Sequence, residues 1–176
     1  AIPHAKLTLN INGALSELLM EHGFADVIDA IRSLAESGRL EFTESAKHHA
    51  FLPNLPDTEI ERQIRLNHEA NIEIFGASYR PVCFFPPEMA YAPAVARVVA
   101  TMGYRILLLD EIAYNGRVEQ TPYDQIFSID AAPMLGVVFR DRRLSNLIIS
   151  AAARNAETFQ SALGDDAQKN QYVLTA

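Results

Sequence analysis

Apolar residues recur along this chain in two alternating rhythms. Short runs rich in β-branched, leucine and aromatic side chains lie at Lys6–Ile11, Arg39–Thr43, Val82–Phe85, Tyr104–Leu109, Leu135–Phe139 and Tyr172–Thr175. Each predicts a strand. Between most of them the rhythm changes to steps of three and four. Phe24, Val27, Ile28, Ile31, Leu34 and Ala35 mark one face of a helix that Gly38 stops. Thr58 followed by Glu61 reads as a capping box, opening a helix with Ile60, Ile64, Ile72 and Phe75 on one side before Gly76. Pro93 suits the first turn of a third helix running through Val95, Val98 and Val99 to Gly103, and a fourth covers Leu144 to about Leu163.

Strands that alternate with helices imply parallel pairing, and the unbroken "ILLL" at 106–109 implies a sheet covered on both faces. The predicted architecture is α/β. Two segments interrupt the repeat. Residues 115–130, "NGRVEQTPYDQIFSID", open with an Asn-Gly turn and mix polar with aromatic residues, which predicts a hairpin-like excursion at one rim of the sheet. Residues 44–57, "ESAKHHAFLPNLPD", exceed the usual βα loop of about 2 to 6 residues, and loops of this kind often carry function.

Composition narrows the class of protein. A chain of 176 residues with 49% hydrophobic and 21% charged residues supports one domain with a real core. The net charge of −7 leaves 15 basic residues scattered among 22 acids, which argues against a nucleic-acid partner. The single cysteine, Cys83, rules out an internal disulfide, and its apolar neighbours Val82 and Phe84 predict a buried, inert thiol. No apolar run reaches the roughly 18 to 20 residues of a membrane span. The start, Ala1 to Ala5, lacks the features of a signal peptide. A reducing, cytoplasmic setting is the expectation.

Ligands of parallel α/β sheets and barrels bind at the carboxyl ends of the strands. Glu88 follows the run Val82–Phe85 at that position, and Pro86-Pro87 would keep it out of the following helix. Glu41, Glu44, Asp110, Glu111 and Arg140 likewise lie within or just after predicted strands. Acids gathered on one rim suit glycosidic chemistry, where one carboxylate attacks or stabilises the anomeric carbon and another moves a proton. A lone acid after a strand also fits a helix N-terminus, where it meets the helix dipole.

Together these stretches carry a resemblance. "RLEFTESAKHHAFLPNLP" and the later "FGASYRPVCFFPPEMAYAPAVARVVATMGYRILLLDE" are similar to the middle of the catalytic domain of the family 57 glycoside hydrolases, retaining enzymes of α-glucans and related α-linked sugars. Glu41, His49 and Leu52-Pro53 match a family strand Glu, a loop His and a Leu-Pro pair; Phe75-Gly76 and Pro87-Glu88 match the approach to its nucleophile. "KLTLNINGALSELLMEHG" and "VVFRDRRLSNLI" also resemble family segments. The resemblance implies a partial (β/α)7-type barrel with parallel strands and flanking helices. It further implies that residues 1–176 form a single catalytic-type domain, incomplete relative to the family barrel. The family's His-x-His-x-Pro-like opening has no counterpart before Lys6, and its acid/base Asp follows a strand like the closing "QYVLTA".

From the resemblance, Glu88 is the expected nucleophile and Glu41 and His49 are expected to bind substrate; by their place at strand ends Asp110, Glu111 and Arg140 are further expected substrate-binding residues, with a rim acid or a surface ion pair as the alternative for these three. The related sugar deacetylases, which bind metal through His and Asp on a similar barrel, offer a rival. Adjacent His48-His49 lack helical i, i+4 ligand spacing, and His4, His22 and His68 follow no ligand pattern. No metal and no cofactor are expected. The resemblance implies an α-linked oligo- or polysaccharide as the partner, cleaved by hydrolysis or passed on by 4-α-glucanotransfer. A truncated, inactive barrel fragment that binds sugar or serves as a structural module is the alternative. Its uncovered strand edges would favour self-association or a complementary chain.

Overall fold

A computed structural model describes residues 4–164 and 174–175. Its strands are β1 (Leu7–Asn10), β2 (Leu40–Thr43), β3 (Cys83–Phe84), β4 (Ile106–Asp110), β5 (Phe127–Ile129) and β6 (Ala132–Arg140). Its helices are α1 (Gly13–Glu21), α2 (Ala25–Glu36), α3 (Asp57–Phe75), α4 (Pro93–Thr101), α5 (Ile112–Asn115), α6 (Arg142–Ile149) and α7 (Ala156–Leu163). β1 pairs with β2 in parallel, and β3, β4 and β6 pair in parallel in that order. The two sheets meet at one point. There the Glu44 backbone amide donates to the Cys83 carbonyl, and the Phe85 amide donates to the Glu44 carbonyl.

β5 joins the far edge of β6 in antiparallel fashion, as expected for the 115–130 excursion. Of the expected strand at 172–175, only residues 174 and 175 are described; the Leu174 carbonyl accepts from the Asp141 amide. On the helical side of the sheet, Leu107, Leu109, Leu135, Val137 and Phe139 pack with Val95, Ala96 and Val99 of α4 and Ile60 and Ile64 of α3. A second cluster, Ile28, Leu40, Phe42, Phe75 and Tyr79, lies under β1, β2 and α2.

Three expectations need correction. α3 begins at Asp57 behind Pro56, with no side-chain cap, because the proline already fixes the extended entry (φ −67°, ψ 153°). The Thr58–Glu61 capping box therefore does not form. Ile72 is 44% exposed, and the buried stripe instead runs through Gln63, Asn67, Ala70 and Asn71. The single helix expected over 144–163 is two, parted by Ala151 at φ 55° and restarted where Asn155 accepts from the Thr158 amide.

Helix α1 was not marked by apolar spacing. Its buried residues are Gly13 and Ser16, while Leu15, Leu18 and Met20 are exposed. It is held instead by polar contacts: Asn12 caps it through the Leu15 amide, Gly13 N donates to Asn67 Oδ1 at 2.7 Å, and Ser16 Oγ donates to Asn71 Oδ1 at 2.7 Å. A glycine is needed because a Cβ at Gly13 would lie 2.8 Å from the Ala70 Cβ. Gly13→Ala should cost about 1–3 kcal/mol by overpacking. In thermal denaturation, the double variant with Ala70→Gly should lose less than the sum of the single losses, as expected for residues in contact.

Candidate functional site

The site grows out of the carboxyl ends of β2, β3, β4 and β6. Past β2, the chain enters the long segment 44–57, and Glu44 is buried where it leaves the strand. Its carboxylate accepts from Asn67 Nδ2, from Tyr79 Oη at 2.9 Å, from Tyr104 Oη at 2.8 Å and from the Ser45 amide at 3.3 Å, and meets His68 Nδ1 at 3.0 Å. Burial, and then the Glu44 charge, push the Tyr79 and Tyr104 phenols well above their ordinary range, so both remain donors. A buried charge of this kind is tolerable only when its lone pairs are taken up.

Beyond Glu44 the segment is pinned onto α3. Lys47 N donates to the Gln63 carbonyl and His48 N to Gln63 Oε1, while Lys47 Nζ pairs with Glu17 at 2.6 Å. The Ala46 carbonyl accepts from His49 N, closing a turn that sets His49 at φ 52°.

After β3, Pro86 and Pro87 lead into a single 3-10 turn, Pro87–Met89, in which Glu88 adopts φ 58° and ψ 14°. A left-handed backbone is uncommon for a residue with a side chain, and such residues cluster at functional sites. It brings Glu88 Oε1 to 3.8 Å from His49 Nδ1. Glu88 is 71% exposed and His49 49% exposed, both at a cavity of about 630 Å³. Across it, Asp110 ends β4 and accepts from Arg140 Nη2 at 3.0 Å, Arg142 Nη1 at 3.1 Å and the Ile112 amide at 3.1 Å. Phe85 and Tyr91 add aromatic walls.

Four of the expected site residues, Glu88, His49, Asp110 and Arg140, thus share this cavity. Glu41 and Glu111 do not line it. Glu41 sits within β2, exposed, accepting from Thr8 Oγ1 at 2.8 Å. Glu111 is buried and accepts from the Glu119 amide at 3.0 Å and from Tyr123 Oη at 2.9 Å, which anchors the loop after α5. Arginines 140 and 142 turn to Asp110, while neighbouring Asp141 caps α6 through the Leu144 amide. Cys83 is half-buried and not fully buried as expected; burial, then the charge of Glu41, raise its thiol pKa, which lowers its reactivity. Tyr91 is a site residue that strand-end reasoning did not single out. Among the described residues, no three His, Cys, Asp or Glu side chains gather as a metal site, and no helix is long and apolar enough to cross a membrane.

Parallel βα units with a polar cavity over the carboxyl ends of their strands define a ligand-binding unit of the β/α-barrel class. The chain belongs to glycosyl hydrolase family 57, whose model matches residues 2–156. No curated protein matches its sequence. Among solved structures it is similar to a 4-alpha-glucanotransferase from Thermococcus litoralis, at 18% identity and TM-score 0.72, over 98% of this chain and 31% of that one. An alpha-amylase from Thermotoga maritima shows 16% identity and TM-score 0.64, over 86% of this chain and 39% of that one. A branching enzyme of the same family from Thermococcus kodakaraensis, in complex with glucose, shows 22% identity and TM-score 0.58, over 72% and 28%. The shared fold is that of the family 57 barrel enzymes, of which this chain makes a partial barrel. It spans less than two-fifths of the length of these relatives.

Removing donors from Glu44 should be costly in proportion to what is left unpaired. Tyr104→Phe should lose about 1–2 kcal/mol in denaturant unfolding. Glu44→Ala strands Asn67, Tyr79 and Tyr104 and should lose about 3–5 kcal/mol. The Glu88 backbone predicts the opposite sign: Glu88→Asn, which tolerates the left-handed region, should unfold at the same temperature or higher, by up to about 1 kcal/mol of relieved strain. A marked fall in its melting temperature would remove the strain argument.

Proposed function

We propose that this chain is the nucleophile-bearing part of a retaining α-glycosidase-type enzyme, a hydrolase or 4-α-glucanotransferase of α-linked glucans. The observation that carries this reading is the Glu88 carboxylate held at the cavity by a left-handed backbone, beside His49 and past the carboxyl end of β3. The family supplies the reaction class, and the glucanotransferase, amylase and branching enzyme of similar fold point to α-glucan as the substrate class.

In this mechanism a Glu88 oxygen attacks the anomeric carbon as its bond to the leaving sugar oxygen breaks. A general acid protonates that oxygen. Water or an acceptor hydroxyl, losing its proton to the same group, then displaces Glu88 and restores the original anomeric configuration. His49 can bond a sugar hydroxyl, since an imidazole donates from one nitrogen and accepts at the other. Arg140 and Arg142 supply donors on the opposite wall.

The acid/base step needs a carboxyl about 5–5.5 Å from the nucleophile. Among the described residues, Asp110 is the other carboxylate lining the cavity, and its oxygens are already engaged by Arg140, Arg142 and the Ile112 amide. This arrangement favours a second reading for the chain by itself: a sugar-binding barrel unit without turnover.

An activated aryl α-glucoside separates the two. If the chain releases the aryl group, Glu88→Gln should reduce the rate roughly 10³-fold or more. It should also remove the glycosyl adduct seen in the intact mass of the wild type. If the wild type binds maltose but is inert, the second reading stands.

A further inference from the structure

The turn that presents His49 has Lys47 and His48 at its centre and closes where His49 N donates to the Ala46 carbonyl. Connecting segments at a protein surface are ordinarily mobile. Here both central amides end on one residue of α3. Gln63 accepts from Lys47 N through its backbone carbonyl at 3.2 Å and from His48 N through Oε1 at 3.3 Å. Gln63 is 5% exposed, whereas His48 and His49 are exposed. Ala46, fully buried in the core that includes Ile60 and Ile64 of α3, fixes the start of the turn. An exposed histidine thus stands on a backbone held from the core side.

The orientation of the Gln63 amide is itself set. An amide presents an acceptor at one end and two donors at the other, and Glu59, one turn earlier on α3, accepts from Nε2 at 2.9 Å. Arg62 donates to the same carboxylate through Nε at 2.7 Å and Nη2 at 2.9 Å. These bonds, from Arg62 first and then from Gln63, hold the Glu59 carboxyl far below the ordinary carboxylate range, at about 2, so it stays ionised and can only accept. Nε2 must therefore face Glu59, which leaves Oε1 to His48 N.

We propose that Gln63 is a positioning residue for the cavity: it fixes the turn over residues 46–49 so that His49 stands beside Glu88 without bonding to it. The proposal rests on the reading of that cavity as a glycan site. At 3.8 Å, the separation of His49 Nδ1 from Glu88 Oε1 lies outside the hydrogen-bond range of about 2.7–3.2 Å. Both polar atoms stay available, one to a sugar hydroxyl and the other to the anomeric carbon. A turn free to shift by about 1 Å would close this gap and spend the two groups on each other. Gln63 does not line the cavity, so its effect reaches a sugar only through His49.

Maltose binding to the whole chain, followed by titration calorimetry, tests this through a double-mutant cycle. Gln63→Met keeps the volume and the backbone carbonyl but removes the side-chain acceptor. It should weaken maltose by about two- to tenfold, the net worth of one hydrogen bond. His49→Ala should weaken it at least as much, and the double variant no further than His49→Ala alone. Exchanging the pair, Glu59→Gln with Gln63→Glu, reverses donor and acceptor yet still offers His48 N an oxygen, so affinity should return to that of the wild type. A melting curve checks that each variant is folded. Where Gln63→Met does not fold, Glu59→Ala, at a part-exposed position, frees the amide orientation and should give a loss within the same range. Additive losses from Gln63→Met and His49→Ala, no recovery in the exchanged pair, or unchanged binding in the folded variant at 63 or 59 overturns the positioning role and leaves the cavity reading standing. Unchanged binding by His49→Ala overturns it too, since nothing is then positioned. If the wild type binds no maltose, the cavity reading falls and the role of Gln63 with it.

Discussion

The constraint on which the rest depends is the burial of one carboxylate at the seam between the two sheets. Glu44 joins them through its own backbone, and its side chain gathers Asn67 and His68 from α3, Tyr79 from the turn after it, and Tyr104 from the approach to β4. An ionised group inside a protein is costly unless each lone pair is met, so these donors stand or fall together. The seam between the two sheets and the seating of α3 meet in this one group. So does the direction in which the chain leaves β2 toward His49.

That direction decides what the site contains. β2 and β3 come together at Glu44, and the segments that follow each of them carry His49 and Glu88. Both residues sit at positive φ, His49 at 52° and Glu88 at 58°. Strain of this kind persists only where surrounding contacts over-determine the backbone. On one side the pinning of residues 47 and 48 to Gln63 supplies that, and on the other the two prolines before Glu88 do so.

Much of this was legible in the sequence where one physical rule dominates. The apolar run at 106–109 could only be a covered strand, and Glu88, Asp110 and Arg140 at or beyond strand ends do line one cavity. The rule failed where side-chain alternation intervenes. Glu111 follows Asp110 directly and turns to the rim loop, while Glu41 is second in its strand and never reaches the end. α1 was invisible because its buried positions are a glycine and a serine, met by two asparagines of α3, and apolar periodicity does not register them. Glu44 gave no sign of its role because its side-chain partners lie 23 to 60 residues away in sequence.

The clamp on Asp110 has an electrical consequence. Glu88 and Asp110 contribute two negative charges to the cavity wall and Arg140 and Arg142 two positive ones, so these four cancel although the whole chain carries −7. A neutral guest entering such a wall meets local dipoles but little net field, and dissolved ions have little to screen. Its association with the cavity is accordingly indifferent to ionic strength, unlike that of a charged guest steered by the acidic exterior.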